Sequence, residues 1–126
     1  MSESEIRTEL QYRNEITRQM KALGVYRKEF SHTITLLGRM LFDYQTALEK
    51  FEESGGNFVV KHTNKTGAVN AIRNPYYQAI EGLRIGILTY ARELGLTPSG
   101  LKKINEAAMK PAQKSALAEA LKSLGG

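Results

Sequence analysis

Residues 25–53, VYRKEFSHTITLLGRMLFDYQTALEKFEE, decide how the rest of this chain is read. Tyr26, Phe30, Ile34, Leu37, Leu41, Tyr44, Leu48 and Phe51 recur at spacings of four and three, an unbroken a/d seam. At 1.5 Å per residue the spacing predicts one helix of roughly 40 Å. Ser54-Gly55-Gly56 ends it. A seam of this length needs a partner helix, and the chain supplies one downstream. Tyr76, Ile80, Leu83, Ile87, Tyr90 and Leu94 repeat the same spacing and stop at Gly95. Asn74 can cap this second helix, and Pro75 suits its first position. Two such helices joined by a compact connection should pack antiparallel, with Leu37 and Leu83 at mid-seam as the stability core.

Outward from this pair, residues 57–72 lose the helical period. Phe58-Val59-Val60 is β-prone and can pair with Val69 to Ile72 across the polar turn His62-Thr63-Asn64-Lys65-Thr66-Gly67. Residues 4–22 predict a first helix with Ile6, Leu10, Ile16, Met20 and Leu23 on its apolar side and Gly24 as its stop. Thr97-Pro98 starts a short helix with Leu101 and Ile104 facing inward. A last helix is expected after Pro111, with Ala116, Leu117, Ala120, Leu121 and Leu124 on one side. The expected fold is therefore all-α: a long antiparallel helical hairpin, flanking shorter helices and a short β-hairpin in the connection. It forms one compact domain with three parts: an N-terminal helix (1–24), a hairpin oligomerisation core (25–96) and a C-terminal basic helical segment (97–126).

The composition narrows the function classes. The 126 residues contain no cysteine, so there is no disulfide framework, thiolate metal site or cysteine nucleophile. No apolar run approaches the roughly 18 residues of a membrane span, and the acidic, polar N-terminus is unlike a secretory signal. His32 and His62 each lack a second histidine at ligand spacing. No GxxxxGK[ST] loop is present. Glu49, Glu52 and Glu53 cluster near a helix C-terminus, where a solvated helix end is the simplest reading. No enzyme, metal or other cofactor is expected.

Two features point instead to binding. The net charge of +5 leans toward an acidic partner, with nucleic acid the commonest. Lys61, Lys65 and Arg73 flank the connection. Lys102, Lys103, Lys110, Lys114 and Lys122 dominate the last quarter, and the first helix mixes Arg7, Arg13, Arg18 and Lys21 with glutamates. Such residues neutralise phosphates without reading sequence. Second, Leu36 and Met40 lie beside the seam on one helix, and Ile85 and Leu88 on the other. Either the first and last helices cover this surface within one subunit, or neighbouring subunits do. Exposing all four would cost solubility, which tilts the reading toward an oligomer.

The order of elements, with Asn74-Pro75 opening the second hairpin helix and Leu94-Gly95-Leu96-Thr97-Pro98-Ser99 closing it, resembles the small terminase subunits of tailed bacteriophages, in a family of cos-type phages and prophages. The resemblance covers roughly residues 25–105. It implies a non-enzymatic role in viral DNA packaging, in the cytoplasm of an infected or lysogenic bacterial host. The implied partners are double-stranded viral DNA, the large terminase subunit that holds the ATPase and nuclease, and further copies of the chain in a cyclic homo-oligomer, with no membrane. In that setting Lys61, Lys65, Arg73, Lys102 and Lys103 are the expected DNA-facing residues. Leu36, Met40, Ile85 and Leu88 are the expected subunit interface. One departure stands out: the family usually has an arginine shortly after Thr-Pro-Ser, where this chain has Gly100 and Leu101, so Lys102 or Lys103 would have to substitute. The rival readings are a helical phage structural or adaptor protein and a DNA-binding transcriptional regulator. A regulator needs a compact helix-turn-helix, for which the helix beginning near Val25 is far too long.

Overall fold

The computed structural model describes residues 6–107. Helix α1 covers Glu9–Ala22, a 3-10 turn Lys28–Phe30, α2 Ser31–Glu53, β1 Val59–Thr63, β2 Val69–Arg73 and α3 Pro75–Glu93. A fourth helix, α4, covers residues 98–107. The fold is thus mostly α with one short antiparallel β-hairpin. The expected helix after Pro111, with Ala116, Leu117, Ala120, Leu121, Leu124 and the lysines Lys110, Lys114 and Lys122, lies outside the described residues.

Helix α1 starts later than the apolar pattern predicts. A capping box at Thr8 sets the boundary: Gln11 N donates to Thr8 Oγ1 and Thr8 N donates to Gln11 Oε1. Just before it, the backbone of Arg7 is held by the buried Gln45 side chain. Arg7 N donates to Gln45 Oε1 at 3.0 Å, and Gln45 Nε2 donates back to Arg7 O at 3.0 Å. Tyr12 Oη donates to the same Gln45 oxygen at 2.8 Å. A residue gripped in this way by both its amide and its carbonyl cannot join the helix.

The end of α1 explains why α2 does not begin at Val25. Gly24 takes φ +73°, and the Val25 amide donates to Met20 O. This is the glycine-terminated helix end that turns the next residue back onto the last turn. Val25 and Met20 are accordingly both buried. Tyr26, placed in the seam by its spacing, is instead 38% exposed, with Lys21 Nζ 5.0 Å from its ring centroid.

Helix α1 runs back along the first half of α2 at very close range. A Cβ at Gly38 would stand 2.5 Å from Arg13 Cγ, so glycine permits this approach. Ile16, Met20, Val25, Ile34, Leu37 and Leu94 form the buried core, flanked by Phe30, Leu41, Ile87, Tyr90, Leu101 and Ile104. The core therefore sits where α1, the start of α2, the end of α3 and α4 meet. It does not sit midway along the hairpin: Leu37 is 1% exposed, whereas Leu83 is only half-buried.

Beyond that base, α2 and α3 continue as a two-helix arm that buries Ala47 and Ile80. At its far end Phe51, Phe58 and Tyr77 pack ring to ring, with centroids 4.7 to 6.0 Å apart. Tyr77 takes the place that the spacing assigned to Tyr76, which is 42% exposed. The buried Asn74 fixes this phase. Its Oδ1 accepts from Tyr76 N, and its Nδ2 donates to Ser54 Oγ and Asn57 O. Its backbone amide donates to Phe58 O. One side chain thus ties the end of α2, the approach to β1 and the first turn of α3 together.

Candidate nucleic-acid interface

The β-hairpin projects from the tip of the arm, and every residue from 61 to 73 is exposed. Its register pairs Val59 with Arg73, Lys61 with Ala71 and Thr63 with Val69. These six residues share one face, since directly opposed residues in an antiparallel pair point the same way. Lys61 and Arg73 are diagonal neighbours on it. Lys65 sits in the turn, which Asn64 closes: its Oδ1 accepts from Thr66 N, Thr66 Oγ1 and Ala68 N. Gly67 supplies the positive φ of +85° that the return to β2 requires.

The three basic residues are not equivalent. Arg73 Nη2 donates to Glu81 at 2.6 Å, and its guanidinium lies 5.8 Å from the Tyr77 ring centroid. Its charge is spent on bracing the hairpin against α3. Lys61 and Lys65 make no ion pair with the described residues. Lys102 and Lys103 are exposed on α4, with Lys102 Nζ 4.0 Å from Glu106. The hairpin and α4 begin at opposite ends of α3, whose length is about 28 Å. Within one subunit the structure therefore does not bring the two basic clusters together.

The sequence pattern did not show how the arginines of the α1–α2 face are engaged. Arg18 pairs with Glu15, and Arg39 reaches Asp43 at 3.1 Å and Glu9 at 3.5 Å. Hydrogen bonds from Arg18 and Gln19 hold the Glu15 carboxyl below its ordinary pKa. Arg13 lies over Gly38, its Nε buried without a hydrogen-bond partner. The signal available in the sequence was Gly38, a glycine inside an otherwise continuous heptad helix, which marks a close backbone approach.

Of the four proposed interface residues, Leu36 is 40% exposed, Ile85 71% and Leu88 51%. Met40 is half-buried, its terminal methyl packed on Gly86. The hairpin adds Phe58, Val59 and Val69, each more than half exposed. Apolar surface on this scale is unusual for an isolated small subunit.

The model of the family described as "Phage terminase, small subunit" matches residues 11–111. The chain belongs to this family. The matched span takes in α1 from its third residue onward, the helical arm, the hairpin and α4. Comparison with curated proteins and with solved structures returned no match. Among the described residues, no helix is long and apolar enough to cross a membrane.

Proposed function

We propose that the chain is the DNA-recognising, non-enzymatic subunit of a viral packaging terminase, and that it recruits and regulates the large ATPase-nuclease subunit in the host cytoplasm. The observation that carries this reading is the family match, joined to an exposed hairpin whose Lys61 and Lys65 are unpaired among the described residues. The contacts are to phosphate, because lysine offers a point charge and not a bidentate fork. A gel shift or anisotropy titration on duplex DNA across a salt series tests it. Affinity should fall steeply with salt, and Lys61→Ala with Lys65→Ala should flatten the log–log slope by about 0.9 for each phosphate that is no longer neutralised. Arg73→Ala should change the slope less, since Glu81 already engages Arg73. The Lys102→Ala, Lys103→Ala pair asks the same of α4. Binding that ignores salt and all of these substitutions would overturn the reading.

The subunits form a closed ring through Leu36, Met40, Ile85 and Leu88. Contacts of a heterologous type that close generate such a ring, and repetition around its axis multiplies weak phosphate contacts by avidity. The support is the exposure of Ile85 and Leu88, which share one face of α3 at a spacing of three residues. Light scattering at tens of micromolar should give a multiple of the 14.1 kDa subunit mass. Ile85→Asp with Leu88→Asp should reduce it to the subunit mass. A monomeric parent protein would reject the ring.

A further inference from the structure

The β-hairpin leaves both of its faces open: among the described residues every position from 61 to 73 is exposed. Its strands pair from Val59↔Arg73 to Thr63↔Val69, a ribbon about 17 Å long. No acidic residue occurs from Ser54 to Ile80, although the chain carries 13. A cationic ribbon without acids suits the major groove of duplex DNA in charge and in width. That groove is about 12 Å wide and admits a two-stranded β-ribbon. A protein strand adding to either edge would use the backbone alone and leave Lys61 and Lys65 without a counter-charge.

We infer that the hairpin lies in the major groove and reads base edges with Asn70 and His62; the inference rests on the DNA-binding role proposed above. Side chains alternate between faces along a strand. His62 is directly opposed to Asn70 in the register, and Val60 to Ile72, so these four share the face opposite Lys61. On that face Asn70 carries a donor and an acceptor in one plane, the pair that matches N7 and N6 of adenine. His62 stands beside it with a ring nitrogen for the neighbouring base pair. The asparagine of the turn, Asn64, is occupied, because its Oδ1 already accepts from Thr66 and Ala68. Lys61 on the outer face and Lys65 in the turn reach the phosphates along the lips of the groove. One face thus serves sequence, while the other face and the turn serve charge.

A reading element has to be held firmly on its scaffold. The root of the ribbon is braced in three ways. Arg73 Nη2 donates to Glu81 at 2.6 Å, and the Asn74 amide donates to Phe58 O at 2.7 Å. The Phe58 ring packs on Phe51 and Tyr77, with centroids 6.0 and 4.7 Å away. These contacts set the direction in which the ribbon leaves the arm, and the residues beyond them stay open to DNA.

The test uses the full chain and a pool of duplexes with a randomised centre. Selection by the parent protein should enrich a short motif that contains adenine. Asn70→Ala should lose the preference at one adenine of that motif and bind the selected duplex about fivefold or more weakly, with the salt slope of the parent. Replacing that adenine with 7-deazaadenine, which lacks the N7 acceptor, should weaken the parent and leave Asn70→Ala unaffected. His62→Ala should relax the preference at the adjacent base pair. Lys61→Ala with Lys65→Ala should do the reverse, flattening the salt slope and keeping the motif. Salt-dependent binding with no enriched motif, or a motif that Asn70→Ala keeps in full, would overturn base reading by this face and leave the phosphate contacts standing. A parent protein that binds no duplex at all would overturn the DNA role and this inference together.

Discussion

Replacing Leu37 with alanine is expected to destabilise the protein by about 3–5 kcal/mol. Leu37 is 1% exposed and belongs to the buried cluster of Ile16, Met20, Val25, Ile34 and Leu94, which draws on α1, the link after Gly24, α2 and the end of α3. A cavity there cannot collapse by moving one helix, because each neighbour is fixed by another. Leu83 gives the contrast. It lies in the same heptad register but on the two-helix arm, where it is half-buried, so Leu83→Ala should cost about 1–2 kcal/mol. Denaturant unfolding of both variants at one fixed protein concentration checks the pair, the concentration being held because assembly shifts apparent stability. Equal losses for Leu37→Ala and Leu83→Ala would place the core along the seam, as the heptad pattern alone suggested, and not at the base.

That contrast shows how far the sequence could be read. The heptads of α2 and α3, the stops at Gly24 and Gly95 and the capping by Asn74 gave the long hairpin because each is a local rule acting within a turn or two. The β-hairpin was legible for the same reason: two β-prone runs flank a polar turn. Three of the failures share one cause, a contact from far along the chain. The start of α1 is set by Gln45, 38 residues away, gripping Arg7. The phase of α3 is set by Asn74 reaching back to Ser54 and Asn57, which turns Tyr77 inward in place of Tyr76. The core moved to the base because α1 packs on α2 through Gly38, and a heptad count on α2 alone does not include that third helix.

The candidate site was less legible than the fold, since a lysine on a hairpin looks the same in sequence whether it meets DNA or water. What the structure adds is a ranking. Arg73 is engaged by Glu81 and Tyr77, Lys102 lies near Glu106, and Lys61 and Lys65 stand free among the described residues. The Arg73 pairing does not follow from charge count, because Arg73 and Glu81 are eight residues apart across a strand end and a helix start.

Gly100→Ala is expected to destabilise the protein, against the direction that helix propensity gives. Gly100 is the third residue of α4, and its amide donates to Thr97 Oγ1 at 3.0 Å, capping the helix. In an exposed helix, alanine would be favoured over glycine by about 1 kcal/mol. Here a Cβ would collide with the carbonyl oxygen of Arg92 and stand 2.9 Å from its carbonyl carbon and 3.0 Å from its Cα. Both sides of the contact are backbone, so no rotamer change relieves it. Helix α4 must withdraw from the end of α3, taking Leu101 and Ile104 off the core they pack against. Overpacking costs about 1–3 kcal/mol, and partial exposure of these two apolar side chains adds about 1–2 kcal/mol. These terms exceed the propensity gain, so the net destabilisation should be about 1–4 kcal/mol. Ser99→Ala, one residue earlier and exposed, is the control and should change stability by less than about 0.5 kcal/mol. A Gly100→Ala protein as stable as its parent would mean that α4 does not sit against α3 in this way.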